Sequence, residues 1–193
     1  MDYNKALELL KAKFALLGER KVVIFCDMDG VLAQWSKGCT PETIFEKDFF
    51  FNLFLEPCVR EALLLLHEAG FSISILSAAY ARGYARGDKT RWLEKHRMGH
   101  LPRVFSDVGQ NKADFIEVES GVTYVLLDDF TPNLLAWDAT EKDGAQFVGI
   151  KFMNGVNGGT NVWRGRSISH RCDGPTVANM LADMAVMAAL SKA

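Results

Sequence analysis

Short apolar runs of β-forming residues alternate along this chain with segments of helical periodicity. The strand candidates are residues 21–26, 71–76, 123–127 and 147–152, with a weaker one at 103–105. The intervening helix candidates are residues 59–70, 88–97, 111–119 and 131–139. Repeated strand–helix units indicate an α/β fold, and strands that are apolar throughout are typical of a parallel sheet covered on both faces. We therefore predict a Rossmann-like parallel sheet with helices on both faces.

Three parts of the chain are distinguished by their patterns. Residues 1–20 contain an amphipathic helix that is predicted to pack on the core. Residues 21–31 and 58–193 are predicted to form the core domain, which ends in a docking helix at 174–190. Residues 32–57 are too long for a simple turn and rich in aromatic side chains. They are predicted to form a small helical cap inserted after the first strand.

Composition and charge exclude several classes of partner. The net charge is -2, so the chain has no basic field that would attract a polynucleotide. The longest apolar runs, 63–66 and 184–190, fall short of the ~18 residues that a membrane span needs. The four cysteines show no metal-binding spacing, and the N-terminal segment lacks the basic and apolar regions of a signal peptide. The sequence therefore predicts a cytoplasmic protein with free thiols and neither polynucleotide nor membrane partners.

Polar side chains follow three of the predicted strands. Asp27 and Asp29 follow the first strand, Ser77 follows the second, and Asp128 and Asp129 follow the strand at 123–127. Because ligands of parallel sheets bind beyond the carboxyl ends of the strands, these groups should share one pocket. Four carboxylates so close raise one another's pKa unless a cation neutralises them. Oxygen ligands favour a hard cation, so we predict Mg²⁺ and a phosphate-bearing substrate.

The same residues resemble the four ordered motifs of haloacid dehalogenase-like phosphohydrolases. The motifs are DMDG at 27–30, Ser77 in SILSA, Lys112 in NKADF and LLDDF at 126–130, and together they cover most of residues 21–152. The resemblance implies a phosphomonoester hydrolase that forms an aspartyl phosphate. Asp27 would be the nucleophile, and Asp29 would be the general acid and base.

The resemblance also implies which groups hold the metal and the phosphate. Mg²⁺ would be bound by the side chains of Asp27 and Asp129 and the backbone carbonyl of Asp29, with Asp128 acting through water. The Ser77 hydroxyl and the backbone N–H of Ala78 would donate to the phosphoryl oxygens.

A lysine would neutralise the phosphate and restrain the nucleophile. Lys112 is preferred because it precedes the second aspartate pair by the length of a strand, as in the family. Lys89 and Arg91 remain alternatives, because both follow the second strand.

The cap segment suggests the class of substrate. Five of the 13 phenylalanines lie within residues 45–54, and most of them are expected to form the core of the cap. Phe49 and Phe51 are candidates for stacking on a nucleobase. FFFNLFLEPCVREAL, together with DMDGVLA, resembles the 5'(3')-deoxyribonucleotidases, which implies a nucleoside monophosphate as substrate. The sequence departs from that family at SAAY, which replaces a Thr/Ser pair followed by Pro, and at DDFTPN, which lacks an early Arg.

Several alternatives stay open at this stage. The Gly- and Asn-rich residues 154–166 are interpreted as a lid or as a turn between two edge strands, with Trp163 and Arg164 as candidate nucleotide contacts. The substrate could instead be a sugar phosphate or another small metabolite phosphate, and the chain could form a homodimer. A phospho-aspartate signalling module or a silent binding module is disfavoured, because the order of the acidic motifs is reversed relative to a receiver and silent binding would not need Asp29.

Overall fold

The computed structural model describes residues 2–35, 40, 42–156 and 162–191. Its strands are β1 (Val22–Cys26), β2 (Ser72–Ala78), β3 (Arg103–Ser106), β4 (Thr123–Asp128), β5 (Gln146–Met153) and β6 (Arg166–Ser169). They form one six-stranded sheet in the order β3-β2-β1-β4-β5-β6, and every pairing is parallel. The predicted Rossmann-like α/β fold is confirmed.

Helices cover both faces of this sheet. They are α1 (Tyr3–Ala15), α2 (Pro57–Glu68), α3 (Ala85–Lys95), α4 (Thr131–Asp138) and α5 (Gly174–Leu190). Successive residues of a strand point to opposite faces, so Ile24 and Cys26 of β1 enter a core shared with α1, α2 and α5, whereas Phe25 enters a second core with α4. This alternation explains why the strands are apolar throughout.

The helix predicted at residues 111–119 is wrong. The structure has a single 3₁₀ turn at Lys112–Phe115, capped by the Asn111 side chain, which accepts a hydrogen bond from the Ala113 N–H. The backbone is extended at Ile116, which packs with Val118 against the second core. Burial of these two side chains in an extended segment therefore overrides the helical pattern.

Strand β6 has no counterpart among the predicted strands. Its sequence contains one buried apolar residue, Ile168, which is too weak a pattern to indicate a strand. Because β5 and β6 are parallel, the connection between them cannot be the hairpin turn of two neighbouring strands. Residues 157–161 of this connection lie outside the described residues. They are part of the lid proposed at residues 154–166.

In its described residues, 32–35, 40 and 42–56, the cap segment has short turns rather than regular helices. It contains 3₁₀ turns at Thr43–Phe45 and Phe50–Asn52. Its two ends are joined where the Gln34 N–H donates to Phe54 O at 2.7 Å and the Glu56 N–H donates to Leu32 O at 2.8 Å. These bonds hold the segment beside the carboxyl end of the sheet.

The strand order reverses between β1 and β4, because the chain adds β2 and β3 on one side and β5 and β6 on the other. In open parallel sheets the crevice beyond this point is where ligands bind. Within the described ranges, no helix combines the length and apolar character needed to cross a membrane.

Candidate functional site

Three aspartates meet at the point where the strand order reverses. Asp27 follows β1, and Asp128 and Asp129 lie at the end of β4, which is paired with β1 so that Cys26 is opposite Leu127. The Asp27 N–H donates to Leu127 O at 2.9 Å and extends this pairing by one step. Carboxylate oxygens of the three aspartates all lie within 4.8 Å of one another. The structure thus brings together residues that are about 100 positions apart in sequence.

Lys112 joins two of these carboxylates. Its Nζ lies 2.9 Å from Asp27 Oδ1 and 2.7 Å from Asp128 Oδ2, and the side chain is almost fully buried. Burial disfavours the charged ammonium, but the attraction of Asp128 and Asp27 outweighs it and raises the pKa of Lys112. The predicted contact between Lys112 and the candidate nucleophile is therefore present.

Asp128 is buried and held by several donors. Besides Lys112, it accepts hydrogen bonds from the Phe130 N–H at 2.8 Å and from Asn133 Nδ2 at 2.9 Å. Burial raises the pKa of Asp128, an effect that Lys112 opposes and the nearby charge of Asp27 strengthens. Since both oxygens accept bonds from the protein, this carboxylate suits contact with a metal through water better than direct binding.

Asp129 is the least buried of the three aspartates that lie together. Burial and then the charges of Asp27 and Asp128 raise the pKa of Asp129 to about 8. Its carboxylate packs directly on Gly30, where an added Cβ would lie 2.3 Å from Asp129 Oδ2. Gly30 also has a φ of +79°, a conformation that glycine adopts without strain.

Lys89 occupies the opposite side of the site. Its fully buried Nζ donates to Asp29 Oδ2 at 2.6 Å, to Ser77 Oγ at 2.9 Å and to Ala78 O at 2.7 Å. Burial raises the pKa of Asp29 and the charge of Asp27 adds to this, while Lys89 opposes both. Each lysine thus contacts a different aspartate, Lys112 contacting Asp27 and Lys89 contacting Asp29, and the assignment of Lys112 to the phosphate stays a prediction.

The charges and ligand types of the site fit a hard divalent cation. The four aspartates of the site lie near three buried lysines, which leaves one negative charge uncompensated at full ionisation. The aspartates are Asp27, Asp29, Asp128 and Asp129, and the lysines are Lys89, Lys112 and Lys151. One oxygen of Asp29, Oδ1, is buried without a hydrogen-bond partner in the described structure. Carboxylate and carbonyl oxygens are the preferred ligands of Mg²⁺. Asp27, Asp129 and the Asp29 carbonyl remain the expected ligands.

An open cleft of about 340 Å³ leads to these aspartates. Asp27, Asp29 and Asp129 line its floor. The other described lining residues are Trp35, Ile44, Phe50, Ala78, Ala79, Tyr80, Val108 and Phe130. The floor is therefore acidic, whereas the walls are apolar and largely aromatic. Ser77 is fully buried behind this surface, where its hydroxyl oxygen accepts from Lys89.

The two phenylalanines predicted to contact substrate do not line the cleft. Phe49 packs behind it, with its ring 5.9 Å from that of Trp35 and 4.9 Å from that of Phe50. Phe51 packs on the main core and has the cations of Arg91 and Lys95 over its ring. Because successive residues of a 3₁₀ turn point about 120° apart, Phe50 faces the cleft and its neighbours do not.

The other two predicted substrate contacts also lie away from the cleft. Trp163 covers Gly149 of β5, packs against the second core and donates from Nε1 to Arg166 O at 3.0 Å. Arg164 is exposed, and neither residue is part of the described cleft lining. The parallel pairing of β6 carries this segment back along β5, which places both residues on the side of the sheet rather than at its carboxyl end.

Two residues of β5 and its end contribute to the site without having been predicted. Lys151 is buried and donates from Nζ to Asp129 O at 2.8 Å and to Thr131 Oγ1 at 2.7 Å. Asn154 donates from Nδ2 to Gly30 O at 2.8 Å and to Asp129 Oδ2 at 2.9 Å. A lysine inside an otherwise apolar strand is a sequence signal for such a role, because lysine is rarely buried without a partner.

Comparison with known proteins adds little to this description. No family model and no curated protein matches the chain. A chain in a solved structure of a Pnkp1/Rnl/Hen1 complex matches 67% of this chain at 19% identity, with a TM-score of 0.49. The match covers 46% of that longer chain. At this TM-score it has no bearing on what the present chain does.

Proposed function

We propose that this chain is a Mg²⁺-dependent phosphomonoester hydrolase that acts on nucleoside monophosphates, as its resemblance to the 5'(3')-deoxyribonucleotidases implies. One observation carries the proposal. Asp27 lies on the floor of an open cleft, within 4.8 Å of the Asp128 and Asp129 oxygens, and is held by Lys112. A nucleophilic carboxylate beside a cation site is what phosphoryl transfer requires.

Asp27 attacks the phosphorus atom, and the bond from phosphorus to the ester oxygen breaks as the aspartyl phosphate forms. Asp29 gives a proton to the departing alkoxide, a role that its raised pKa favours. A water molecule then attacks the aspartyl phosphate and loses its proton to Asp29. Inorganic phosphate leaves and Asp27 is regenerated.

The surrounding groups orient these two aspartates and balance charge. Lys112 holds the Asp27 carboxylate, and Lys89 holds the Asp29 carboxylate together with the Ser77 hydroxyl. Ala78 lines the cleft, and its backbone N–H would donate to the phosphoryl group. A bound Mg²⁺ would neutralise the charge of the phosphoryl oxygens.

The walls of the cleft support a nucleoside as the leaving group. Trp35, Phe50, Tyr80 and Phe130 offer aromatic faces, on which a base can stack. Among the described lining residues none carries a positive charge. A sugar phosphate would find fewer partners on such walls.

The experiment is a measurement of phosphate release, with and without Mg²⁺, from nucleoside monophosphates and sugar phosphates. We expect Mg²⁺-dependent release, faster from nucleotides, that is abolished in Asp27→Asn. The amide keeps the shape of the side chain but removes the nucleophile. Near-normal turnover in this variant would contradict the mechanism, and faster release from sugar phosphates would contradict the substrate assignment.

A cytoplasmic location belongs to the same proposal. Cys26, Cys58 and Cys172 are free thiols, which is usual in a reducing compartment. Fractionation of cells that express the protein tests this assignment, and recovery from a secreted fraction would contradict it.

A further inference from the structure

Asn154 makes contacts that connect two separate parts of the site. It lies just beyond the end of β5, and its Nδ2 donates one hydrogen to Gly30 O at 2.8 Å and the other to Asp129 Oδ2 at 2.9 Å. Gly30 belongs to the turn that carries Asp27 and Asp29, whereas Asp129 follows β4. The side chain therefore joins the ends of two strands from a third.

The orientation of this amide is fixed by the rest of its surroundings. Asn154 Oδ1 accepts a hydrogen bond from the Val156 N–H at 2.9 Å. Since the oxygen is engaged in that bond, the Nδ2 group is directed toward Gly30 and Asp129. An amide with all three bonds satisfied is held rigidly, and it restricts the rotamer of the carboxylate that it contacts.

Asp129 is correspondingly constrained on several sides. Gly30 packs against its carboxylate so closely that an added Cβ would lie 2.3 Å from Oδ2. Lys151 Nζ holds its backbone carbonyl at 2.8 Å. Asn154 contacts the carboxylate itself, and this bond helps to direct its oxygens toward Asp27 and Asp128.

We propose that Asn154 is a positioning residue that orients Asp129 for binding a divalent cation. This inference rests on the proposed function only in placing the cation at Asp27, Asp128 and Asp129. Groups that orient metal-binding carboxylates commonly change metal affinity by about 10- to 100-fold when they are removed. Removing a residue with this role lowers the affinity for the metal but removes no atom that takes part in the reaction.

The test measures cation affinity in the substrate-free protein. Mn²⁺ binding is followed by electron paramagnetic resonance, and Mg²⁺ is followed by competition with Mn²⁺ and by the rise in melting temperature that it causes. The variants are Asn154→Ala and Asn154→Leu, the second of which keeps the volume and removes both donors. Asn179→Ala is the matched control, because Asn179 lies on α5 and contacts Lys13 instead of the site.

Both variants of Asn154 should bind Mn²⁺ and Mg²⁺ about 10- to 100-fold more weakly than wild type, whereas the control should be unchanged. At saturating Mg²⁺ the kcat should recover to within about threefold of wild type, because the reacting groups are intact. A structural effect would instead lower the melting temperature equally with and without Mg²⁺.

Wild-type affinity in both variants would overturn the inference and leave the proposed function standing. Absence of any cation binding by the wild-type protein would overturn both.

Discussion

The ammonium group of Lys89 lies 2.6 Å from the carboxylate of Asp29. The lysine comes from α3 and is fully buried, whereas the Asp29 side chain is 25% exposed to the cleft. One partner thus faces the protein and the other faces the space that substrate would enter. The pair is suited to holding the Asp29 carboxyl group in place at the edge of the cleft.

Replacing Lys89 by Met should therefore damage both activity and stability. Asp29 loses its main donor, and we expect kcat to fall at least ~10-fold because general acid catalysis depends on a positioned group. The free energy of unfolding should fall by roughly 1 to 3 kcal/mol, between the values for exposed and buried pairs. Urea unfolding and phosphate release measure the two effects. Lys11→Met removes an exposed lysine paired with Glu8 and should change neither.

Asp29→Asn separates proton transfer from binding. The amide cannot protonate the leaving group, so hydrolysis should fall at least ~100-fold. Mg²⁺ should still bind, because the Asp29 contribution to the metal is expected from the backbone carbonyl. Mn²⁺ binding and rapid-quench measurements of phosphate release check the two halves. An unchanged rate of hydrolysis would show that Asp29 is not the acid.

Gly30→Ala should weaken metal binding as well as strain the backbone. Gly30 has a φ of +79°, and a Cβ there would lie 2.3 Å from Asp129 Oδ2. Gly121 has a φ of +75°, but a Cβ at that position would meet no atom within 4 Å. Both alanine variants should lose about 1 to 2 kcal/mol of stability from the left-handed backbone. Only Gly30→Ala should also weaken Mg²⁺ binding, and equal Mg²⁺ affinities in the two variants would contradict the close approach to Asp129.

The crowded aspartates should destabilise the protein when no cation is present. Burial and then the charges of Asp27 and Asp128 raise the pKa of Asp129 to about 8, so the ionised form of this carboxyl group is disfavoured in the folded protein. Asp129→Asn should therefore raise the urea midpoint of unfolding measured in EDTA.

Mg²⁺ binding should stabilise the wild-type protein, because the cation neutralises the crowded carboxylates. In wild type, Mg²⁺ at 100 times its dissociation constant should stabilise by about 2.7 kcal/mol. In Asp129→Asn this gain should largely vanish. A variant that is less stable than wild type in EDTA would contradict the proposed repulsion.

The sequence was sufficient to predict five of the six strands of the sheet and its central acidic residues. Strands that are buried on both faces leave an unmistakable apolar run, and Asp27, Asp128 and Asp129 stand where two such runs end. Parallel pairing then requires that they meet, because the ends of neighbouring strands lie at the same edge.

The same reasoning could not identify the residues that support these aspartates. The role of Asn154 depends on the register of β5 against β4, and register is set by packing rather than by local pattern. The choice of Phe50 rather than Phe49 or Phe51 depends on the rotation of a single 3₁₀ turn. A difference of one residue reverses which side chain faces the cleft.

The aromatic wall of the cleft makes the claim about substrate testable at Phe130. This residue follows the second aspartate pair, lines the cleft and is 58% exposed. Its removal should leave the fold intact, because little of the side chain is packed in the core. Leu135 is a matched control, since it is 45% exposed on the adjoining helix and is not among the described lining residues.

If Phe130 stacks on a nucleobase, Phe130→Ala should lower kcat/KM for dUMP or dTMP by roughly 5- to 150-fold, the equivalent of ~1 to 3 kcal/mol. Turnover of a sugar phosphate should change little, because that substrate offers no base to the wall. Trp35→Ala should show the same selectivity and Leu135→Ala none. Equal losses for nucleotides and sugar phosphates in Phe130→Ala would mean that the wall does not recognise a base. The metal-dependent chemistry of Asp27 and Asp29 would then serve a different class of phosphate ester.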